Sequence, residues 1–372
     1  MLTNLHAIIF TNRSNYESNL NELTAVRSMS SVPYGGRYRL IDFMLSNVTN
    51  AGITDVGLVL QENYQSLLDH VESGKDWDLA RKRGGLRLLP PFSQKPGSGN
   101  PKGRIEALAN LGSYVADIKQ EYVLLADGDV AINIDLSKVF EHHLSTGADV
   151  TPVVTSRYTG EPECTVYYVE KENGKYDIVH GPDEAVGMED LNIYIMSKDF
   201  LLKQVKEAAT HSNFYSMIKH VLLPNADKLN IVPYVFDGFA ARITSVASYF
   251  KRSMELLNPE VLGDLFTPAR PVFSKDRTDA STYYSPESKV TNSIVSDGCI
   301  IEGVVENCIL FRNVKIAKGC VVKNCILMKD VEVGENTSLN YVIADKNVSI
   351  SANSTLGGAE SYPLLLGKGS KV

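Results

Sequence analysis

The sequence predicts an α/β domain with a doubly wound, mostly parallel sheet, followed by a C-terminal parallel β-helix. Over the first 257 residues, short apolar runs typical of buried strands alternate with amphipathic helices. Beyond residue 288, apolar residues recur at spacings of five or six, the hexapeptide period of a β-helix. A proline-punctuated stretch separates the two patterns. We therefore expect domains at residues 1–257 and 289–372, joined by a linker at residues 258–288.

The composition is that of an ordinary globular protein. Of the 372 residues, 44% are hydrophobic and 22% are charged, and the formal net charge is −7. An acidic chain without a basic stripe is not expected to bind nucleic acid. No apolar run is long enough to span a membrane. The five cysteines lack the spacing of a zinc site and no secretory signal is visible, so we expect a reduced, cytoplasmic protein.

Strands and helices alternate along the first domain. The predicted strands are residues 6–10, 55–60, 121–126, 149–155, 165–170, 192–196 and 230–236. The predicted helices are one that starts near Arg37, and residues 63–71, 104–118, 136–145, 197–209, 214–223 and 246–257. The loop at residues 11–16 and the turn at residues 127–129 follow the carboxyl ends of two strands, where doubly wound sheets bind ligands.

The stretch VPYGGRYRLIDF at residues 32–43 is predicted to be a loop that leads into a helix. Pro33 and the following glycine pair favour a tight turn, which places Arg37 and Arg39 at the start of the helix. Guanidinium groups match phosphate oxygens, so these arginines suit an anionic ligand. Charged turn residues are most often only solvated, and that alternative remains open.

The C-terminal repeat predicts stacked coils with an apolar interior. A coil of about three hexads should stack Val304, Val322, Leu339 and Leu356 in one column. Four of the five cysteines lie in this part of the chain, at positions that we interpret as core. An irregular β-meander is the alternative, and the sustained period argues against it.

The pairing of a long α/β domain with a C-terminal left-handed β-helix resembles the ADP-glucose pyrophosphorylases, the glucose-1-phosphate adenylyltransferases of glycogen and starch synthesis. The shared motifs are VPYGGRYRLIDF, LSN at 45–47, GKDWDL at 74–79, GG at 84–85, LPP at 89–91, VENCILF at 305–311 and VVKN at 321–324. The resemblance covers nearly the whole chain and implies a nucleotidyltransferase-like, Rossmann-like first domain. The family transfers AMP from ATP to the phosphate of glucose 1-phosphate and releases pyrophosphate.

Phosphate-binding groups of the family are replaced in this chain. That chemistry needs backbone amides and cations around the phosphates, and carboxylates that hold Mg²⁺. The family's first loop, A-G-G-x-G-x-R-L, reads FTNRSNY at residues 10–16, so side chains should block a triphosphate. Met29 replaces the lysine of A-K-P-A. The segment G-T-A-x-A becomes GRIEA at residues 103–107.

The metal-binding and sugar-binding motifs are also altered. The family's S-G-D is kept as residues 127–129, so the resemblance implies that Asp129 is a remnant metal carboxylate. Arg242 stands where Y-W-x-D-V-G-T has the second aspartate. We expect Arg242 to face Asp129 and to pair with it in place of Mg²⁺, although a lone arginine is usually a surface residue. The sugar-binding F-G becomes Thr165-Val166, and E-K-P becomes roughly HGP at residues 180–182.

This pattern resembles the D-type subunits that accompany the catalytic C-type subunit in glycogen-synthesising Gram-positive bacteria. The resemblance implies a weak or inactive regulatory chain that raises the activity of its catalytic homologue in a heterotetramer. Arg27, Arg37 and Arg39 are candidates to hold an anionic metabolite effector near the domain junction. Structural salt bridges to the β-helix are the alternative for these arginines.

Two other functions are alternatives to the regulatory one. A competent adenylyltransferase with an altered nucleotide loop would keep Asp129 in use, and only then would Mg²⁺ with ATP be required. The replaced glycines, Met29 and Arg242 argue against it. A β-helix acyltransferase needs a catalytic histidine in the helix, and residues 290–372 contain none.

Overall fold

The computed structural model describes residues 2–11, 20–90, 101, 103–157, 166–181, 187–211 and 213–372. Within these residues the chain forms an α/β domain followed by a β-helix, and the predicted fold class is confirmed. Several residues singled out from the sequence lie outside the described part: 12–16 of the first loop, Cys164, Thr165 and Pro182.

The strands of the α/β domain form one large sheet and two small ones. They are β1 (Leu5–Phe10), β2 (Pro33–Tyr34), β3 (Tyr38–Arg39), β4 (Asp55–Val59), β5 (Gly85–Leu89), β6 (Tyr122–Asp127), β7 (Val130–Ile132), β8 (Val150–Thr155), β9 (Val166–Glu170), β10 (Tyr176–His180), β11 (Met188–Ser197), β12 (Tyr234–Val235) and β13 (Ala240–Arg242). The large sheet has the order β10-β9-β11-β6-β1-β4-β5, and β8 pairs with β11 and β12. Strands β6, β1, β4 and β5 are parallel, whereas β11, β9 and β10 are antiparallel. The sheet is therefore mixed.

Helices cover both faces of this sheet. They are α1 (Asn21–Thr24), α2 (Leu40–Asn50), α3 (Gln65–Val71), α4 (Arg104–Asn110), α5 (Gly112–Asp117), α6 (Leu136–Thr146), α7 (Lys198–Thr210), α8 (Val246–Met254) and α9 (Pro259–Leu265), with a π-helix at Met217–Leu222 and 3₁₀ turns at Met29–Ser31, Lys75–Trp77, Leu223–Asn225 and Glu255–Leu257. Apolar clusters fill the space on each side of the sheet. Among the described residues, no helix combines the length and apolarity needed to cross a membrane.

Some predicted elements differ from those observed. The helix predicted at residues 104–118 is two helices, because the chain leaves helical geometry at Leu111 (φ −107°, ψ 26°). Tyr38 lies in a β2–β3 hairpin and not in the helix, which begins at Leu40. The strand predicted at residues 230–236 is reduced to β12.

The β-helix consists of three parallel sheets, each with one strand from every coil. The first sheet contains β14 (Tyr283–Tyr284), β17 (Ile300–Ile301), β20 (Lys315–Ile316), β23 (Glu332–Val333) and β26 (Ser349–Ile350). The second contains β15 (Lys289–Thr291), β18 (Val304–Glu306), β21 (Val321–Lys323), β24 (Ser338–Asn340) and β27 (Thr355–Gly357). The third contains β16 (Ile294–Val295), β19 (Ile309–Leu310), β22 (Ile326–Leu327), β25 (Val342–Ala344) and β28 (Leu364–Leu366). The stretch predicted as a linker thus contains α9 and β14.

The predicted interior column is correct except at its first member. Val322, Leu339 and Leu356 stack as expected, but the residue above Val322 is Val305, not Val304. Every coil of this column takes one residue fewer than three full hexads, and the predicted step from Val304 to Val322 is one residue too long. Val305 is therefore fully buried, whereas Val304 points outwards.

The third sheet of the β-helix docks onto the α/β domain through its outer face. Its outward column contains Ile309, Ile326 and Ile343, which share one apolar cluster with Tyr34 and Phe250. The two domains are therefore joined by a continuous core rather than by the connecting segment alone.

The glycine pair of the stretch at residues 32–43 lies at this interface between the two domains. Gly36 has φ +80°, and a Cβ there would lie 3.0 Å from Ser296 Oγ and 3.3 Å from Ile294 Cγ2. Ser296 donates a hydrogen bond to the Gly36 carbonyl (2.9 Å). A glycine is needed both for the turn and for the close approach of the β-helix.

Candidate functional site

The crevice at the carboxyl ends of β1 and β6 is the place where a sheet of this kind binds ligands. Phe10 ends β1, and Asp127 ends β6 directly opposite it. Asp129 follows after Gly128, where a Cβ would lie 2.6 Å from Ile41 Cδ1 and 2.8 Å from Ser30 Oγ. Only glycine fits between the two aspartates, which holds both carboxyl groups at the strand end.

Arg104 occupies this crevice. It is the first residue of α4, and its guanidinium forms an ion pair with Asp127. Its Cζ lies 5.6 Å from the ring centroid of Phe10 and 5.7 Å from that of Tyr194, within the range of a cation–π interaction. Burial lowers the pKa of Arg104, but the neighbouring Asp127, Tyr194, Asp190 and Asp129 outweigh it, so the net shift of the pKa is upwards.

A β-bulge in β11 turns Asp190 towards the same crevice. The register with β8 shifts between Asp190 and Tyr194, and Asn192 within the bulge has φ +58°. Asp190 accepts hydrogen bonds from the Asn192 amide (2.8 Å) and from the Tyr194 hydroxyl. Burial raises the pKa of Asp190 to about 6, against the opposing effect of these bonds and of Arg242 and Arg104.

Arg242 lies in the strand pair that borders the crevice. In β13 it is opposite Val130, the residue that follows Asp129. Its guanidinium is buried, lies 3.7 Å from a Glu189 carboxylate oxygen and donates to the Asp190 carbonyl (3.3 Å). The structure therefore gives Arg242 partners on β11, and its predicted pairing with Asp129 remains a prediction.

The residues of the crevice do not fit a Mg²⁺ site. The carboxylates that could hold the cation are engaged by the protein itself, because Asp127 and Glu189 each face an arginine and Asp190 accepts hydrogen bonds from Asn192 and Tyr194. Among the described residues, no group of three or more His, Cys, Asp or Glu is placed to hold a metal ion. The cations here are the protein's own.

Met29 and its neighbours close one side of the crevice. Met29 is buried in the apolar cluster that includes Leu23 and Phe43. Ser30 donates through both its amide (3.1 Å) and its hydroxyl (2.7 Å) to the Thr11 carbonyl. A side chain in the place of Met29 is therefore directed into core and not towards a phosphate.

Arg27 joins the two domains. It is buried and donates to both oxygens of Asp345, at 2.9 and 2.8 Å, and to the Leu23 carbonyl at 3.2 Å. Asp345 belongs to the last coils of the β-helix and is fully buried. This geometry favours the structural salt bridge that the sequence left open, because the guanidinium is already engaged by a carboxylate.

Arg37 and Arg39 lie nearby but are less enclosed. Arg37 is exposed, and Arg39 is half-buried and donates to the Ser66 carbonyl (2.5 Å) and hydroxyl (3.0 Å). Burial lowers the pKa of Arg39 to about 10, and the nearby Arg27 and Arg277 also contribute to the decrease.

Basic residues from other parts of the chain also lie near Arg39 at the domain junction. We define the junction cations as five basic residues around the domain junction, which are Arg37, Arg39, Arg277, Arg312 and Lys346. Burial, followed by the neighbouring Arg39 and Arg27, lowers the pKa of Lys346 from 10.5 to about 7. Arg277, Arg312 and Lys346 were not predicted, because residues more than 200 positions from Arg39 give no signal in the spacing.

Comparison with known proteins agrees with the two-domain architecture described above. Residues 17–231 match the nucleotidyl transferase family model, and residues 268–361 match the model of the GlmU-like C-terminal hexapeptide. The glycogen biosynthesis protein GlgD of Bacillus subtilis is 35% identical over 82% of this chain and 79% of its own length. A glucose-1-phosphate adenylyltransferase of Geobacillus stearothermophilus is 33% identical, and GlgD of the same species 34%, each over 82% of this chain and 80% of the relative.

The fold and the crevice thus define a nucleotidyltransferase-type domain that carries a hexapeptide β-helix. The chain belongs to the glucose-1-phosphate adenylyltransferase family, which includes the GlgD proteins, and the predicted family is confirmed. Relatives of both names are similarly close, so identity alone does not separate a catalytic chain from a non-catalytic one. The residues that are replaced in the crevice are therefore the basis for distinguishing a catalytic chain from a non-catalytic one.

Proposed function

We propose that this chain is a catalytically weak or inactive regulatory subunit of a glucose-1-phosphate adenylyltransferase in glycogen biosynthesis. The observation that carries the proposal is the pair of arginines in the crevice, with Arg104 on Asp127 and Arg242 beside Glu189. Positive charge that is already neutralised within the protein is not available to stabilise a transferring phosphate. Asp129 is the one feature that favours the alternative, a competent adenylyltransferase.

A regulatory subunit acts through its contact with a catalytic homologue. The continuous core between the domains supports this role, because a rigid junction can transmit a change at one domain to the other. We place the protein in a heterotetramer with that homologue. We also place it in the cytoplasm, and the free, buried thiols of Cys299, Cys308, Cys320 and Cys325 support a reducing compartment.

Mixing this chain with the catalytic homologue from the same source tests the role. We expect the two chains to elute as one complex and the rate of ADP-glucose synthesis to rise several-fold over that of the homologue alone. Heat-unfolded chain serves as the control. Separate elution with an unchanged rate would contradict the regulatory role.

We further propose that the junction cations bind an anionic metabolite. Sulfate is a suitable probe, because its charge does not change near neutral pH. A bound dianion favours protonated Lys346, so binding is expected to take up a proton and to weaken by about tenfold as the pH rises from 6 to 8.5. Isothermal titration calorimetry at several pH values measures this.

Two variants sharpen that experiment. Lys346→Arg keeps its charge at every pH, so it should bind sulfate with little pH dependence. Arg37→Ala removes an exposed cation and should weaken binding without loss of stability. Equal affinity of both variants and the native chain at every pH would show that the junction cations are not the site.

A further inference from the structure

The crevice at the carboxyl ends of β1 and β6, beside Tyr194 of β11, has the features of a receptor for a planar cation. It offers two aromatic rings, Phe10 and Tyr194, and the carboxylate of Asp127, which is 2% exposed. Rings stabilise a cation through their faces, and a carboxylate accepts two parallel N–H bonds from a guanidinium. A guanidinium therefore matches the site in shape and in charge.

The surrounding charges strengthen this match. Among the residues that the structure describes, four buried acidic side chains border the crevice, Asp127, Asp129, Glu189 and Asp190, against two arginines, Arg104 and Arg242. Buried carboxylates that outnumber the cations favour positive charge at their centre. The same negative potential would repel a phosphate or a sugar phosphate.

We propose that this crevice is a guanidinium-binding cage, and that in the native chain Arg104 fills it as an internal ligand and so closes it to small molecules. The side chain reaches the cage from the first residue of α4, which fixes its approach. Removal of the side chain beyond Cβ would take the Arg104 guanidinium away from Asp127 and leave a cavity between the two rings. An alkylguanidinium ion has the chemistry needed to refill that cavity.

Arg104→Ala with ethylguanidinium as the probe tests the cage by chemical rescue. We expect the variant to unfold at a lower temperature than the native chain, and about 10 mM ethylguanidinium to raise its midpoint by several degrees. The native chain should show no such rise, because its cage is filled. Arg81→Ala is the matched control, since Arg81 pairs with Asp78 at the surface and leaves no cavity. Its midpoint should not respond to the probe.

Two results of this rescue experiment would overturn the proposal. One is an equal rise in midpoint for the native chain, which would mean that Arg104 does not fill the site. The other is no rise for a folded Arg104→Ala variant.

Arg104→Lys keeps the experiment decisive if the alanine variant does not fold. Lysine keeps the charge but loses the planar fork, so we expect a folded protein with a lower midpoint than the native chain. A lysine variant as stable as the native chain would refute a site specific for guanidinium. These readouts are stabilities, so they are independent of whether the regulatory role holds.

Discussion

Replacement of Arg27 by alanine is expected to lower the free energy of unfolding by about 3–5 kcal/mol, because it leaves the fully buried Asp345 carboxylate without its cation. The pair joins residues 318 positions apart, one in each domain, so its loss should weaken the junction in particular. Urea unfolding can be followed by the fluorescence of Trp77, the single tryptophan, and by circular dichroism. If the domains unfold separately in the variant, we expect fluorescence and circular dichroism to give different unfolding midpoints.

The chain offers a matched control for this ion pair. Lys315 and Glu332 form a bridge of similar length (2.7 Å), but both side chains are 55% exposed. Lys315→Ala is expected to cost less than about 1 kcal/mol, because water and salt screen exposed pairs. If Arg27→Ala cost no more than this control, the buried bridge would not be what holds the domains together.

Replacement of Asp42 by alanine is expected to cost about 3 kcal/mol or more. Asp42 is fully buried and accepts hydrogen bonds from His70 Nε2 (2.5 Å), the Arg39 amide (3.0 Å) and Ser274 Oγ (2.6 Å). These partners lie on α3, at the start of α2 and in the segment that leads to the β-helix. In the alanine variant these three donors would have no acceptor, and each would cost desolvation energy. The loss of stability is therefore expected to exceed that of one typical hydrogen bond.

Graded substitutions separate the acceptor from the charge at this position. Asp42→Asn keeps one acceptor oxygen and should lose about half as much stability as Asp42→Ala. Asp78→Ala is the control, because Asp78 bonds Arg81 with a side chain that is 79% exposed, and it should cost less than about 1 kcal/mol. Thermal or urea unfolding of the three variants measures the series, and equal losses for Asp42→Ala and Asp78→Ala would argue against the network.

Much of the fold could be predicted because its signals are periodic. The hexapeptide period predicts the β-helix, and the alternation of strands and helices predicts the α/β domain. The break of the helix at Leu111 gives no signal in the local sequence pattern, whereas Val305 could have been placed in the column from the equal spacing of Val322, Leu339 and Leu356.

The candidate site was predictable in part. The resemblance drew attention to Asp129, Met29 and Arg242 by their positions in motifs. It gave no role to Arg104, although this residue stands in a quoted motif, because only the folded chain brings it to Asp127 and Tyr194. Arg27 is predicted as an effector residue, and the sequence gives no signal for its partner Asp345, which lies 318 positions away.

We infer that the protein keeps the architecture of an adenylyltransferase and lacks its chemistry. The domain junction is tightly packed, whereas the crevice at the strand ends is filled by the chain's own cations. Groups that act as a unit in catalysis leave little rate when several are replaced together.

The most direct test is the formation of ATP from ADP-glucose and labelled pyrophosphate by this chain alone, with Mg²⁺ present. We predict a rate at least about 10⁴-fold below that of a catalytic homologue under the same conditions, unchanged by Asp129→Asn. Clear turnover that Asp129→Asn abolishes would contradict the account. It would mean that the crevice still performs the adenylyl transfer.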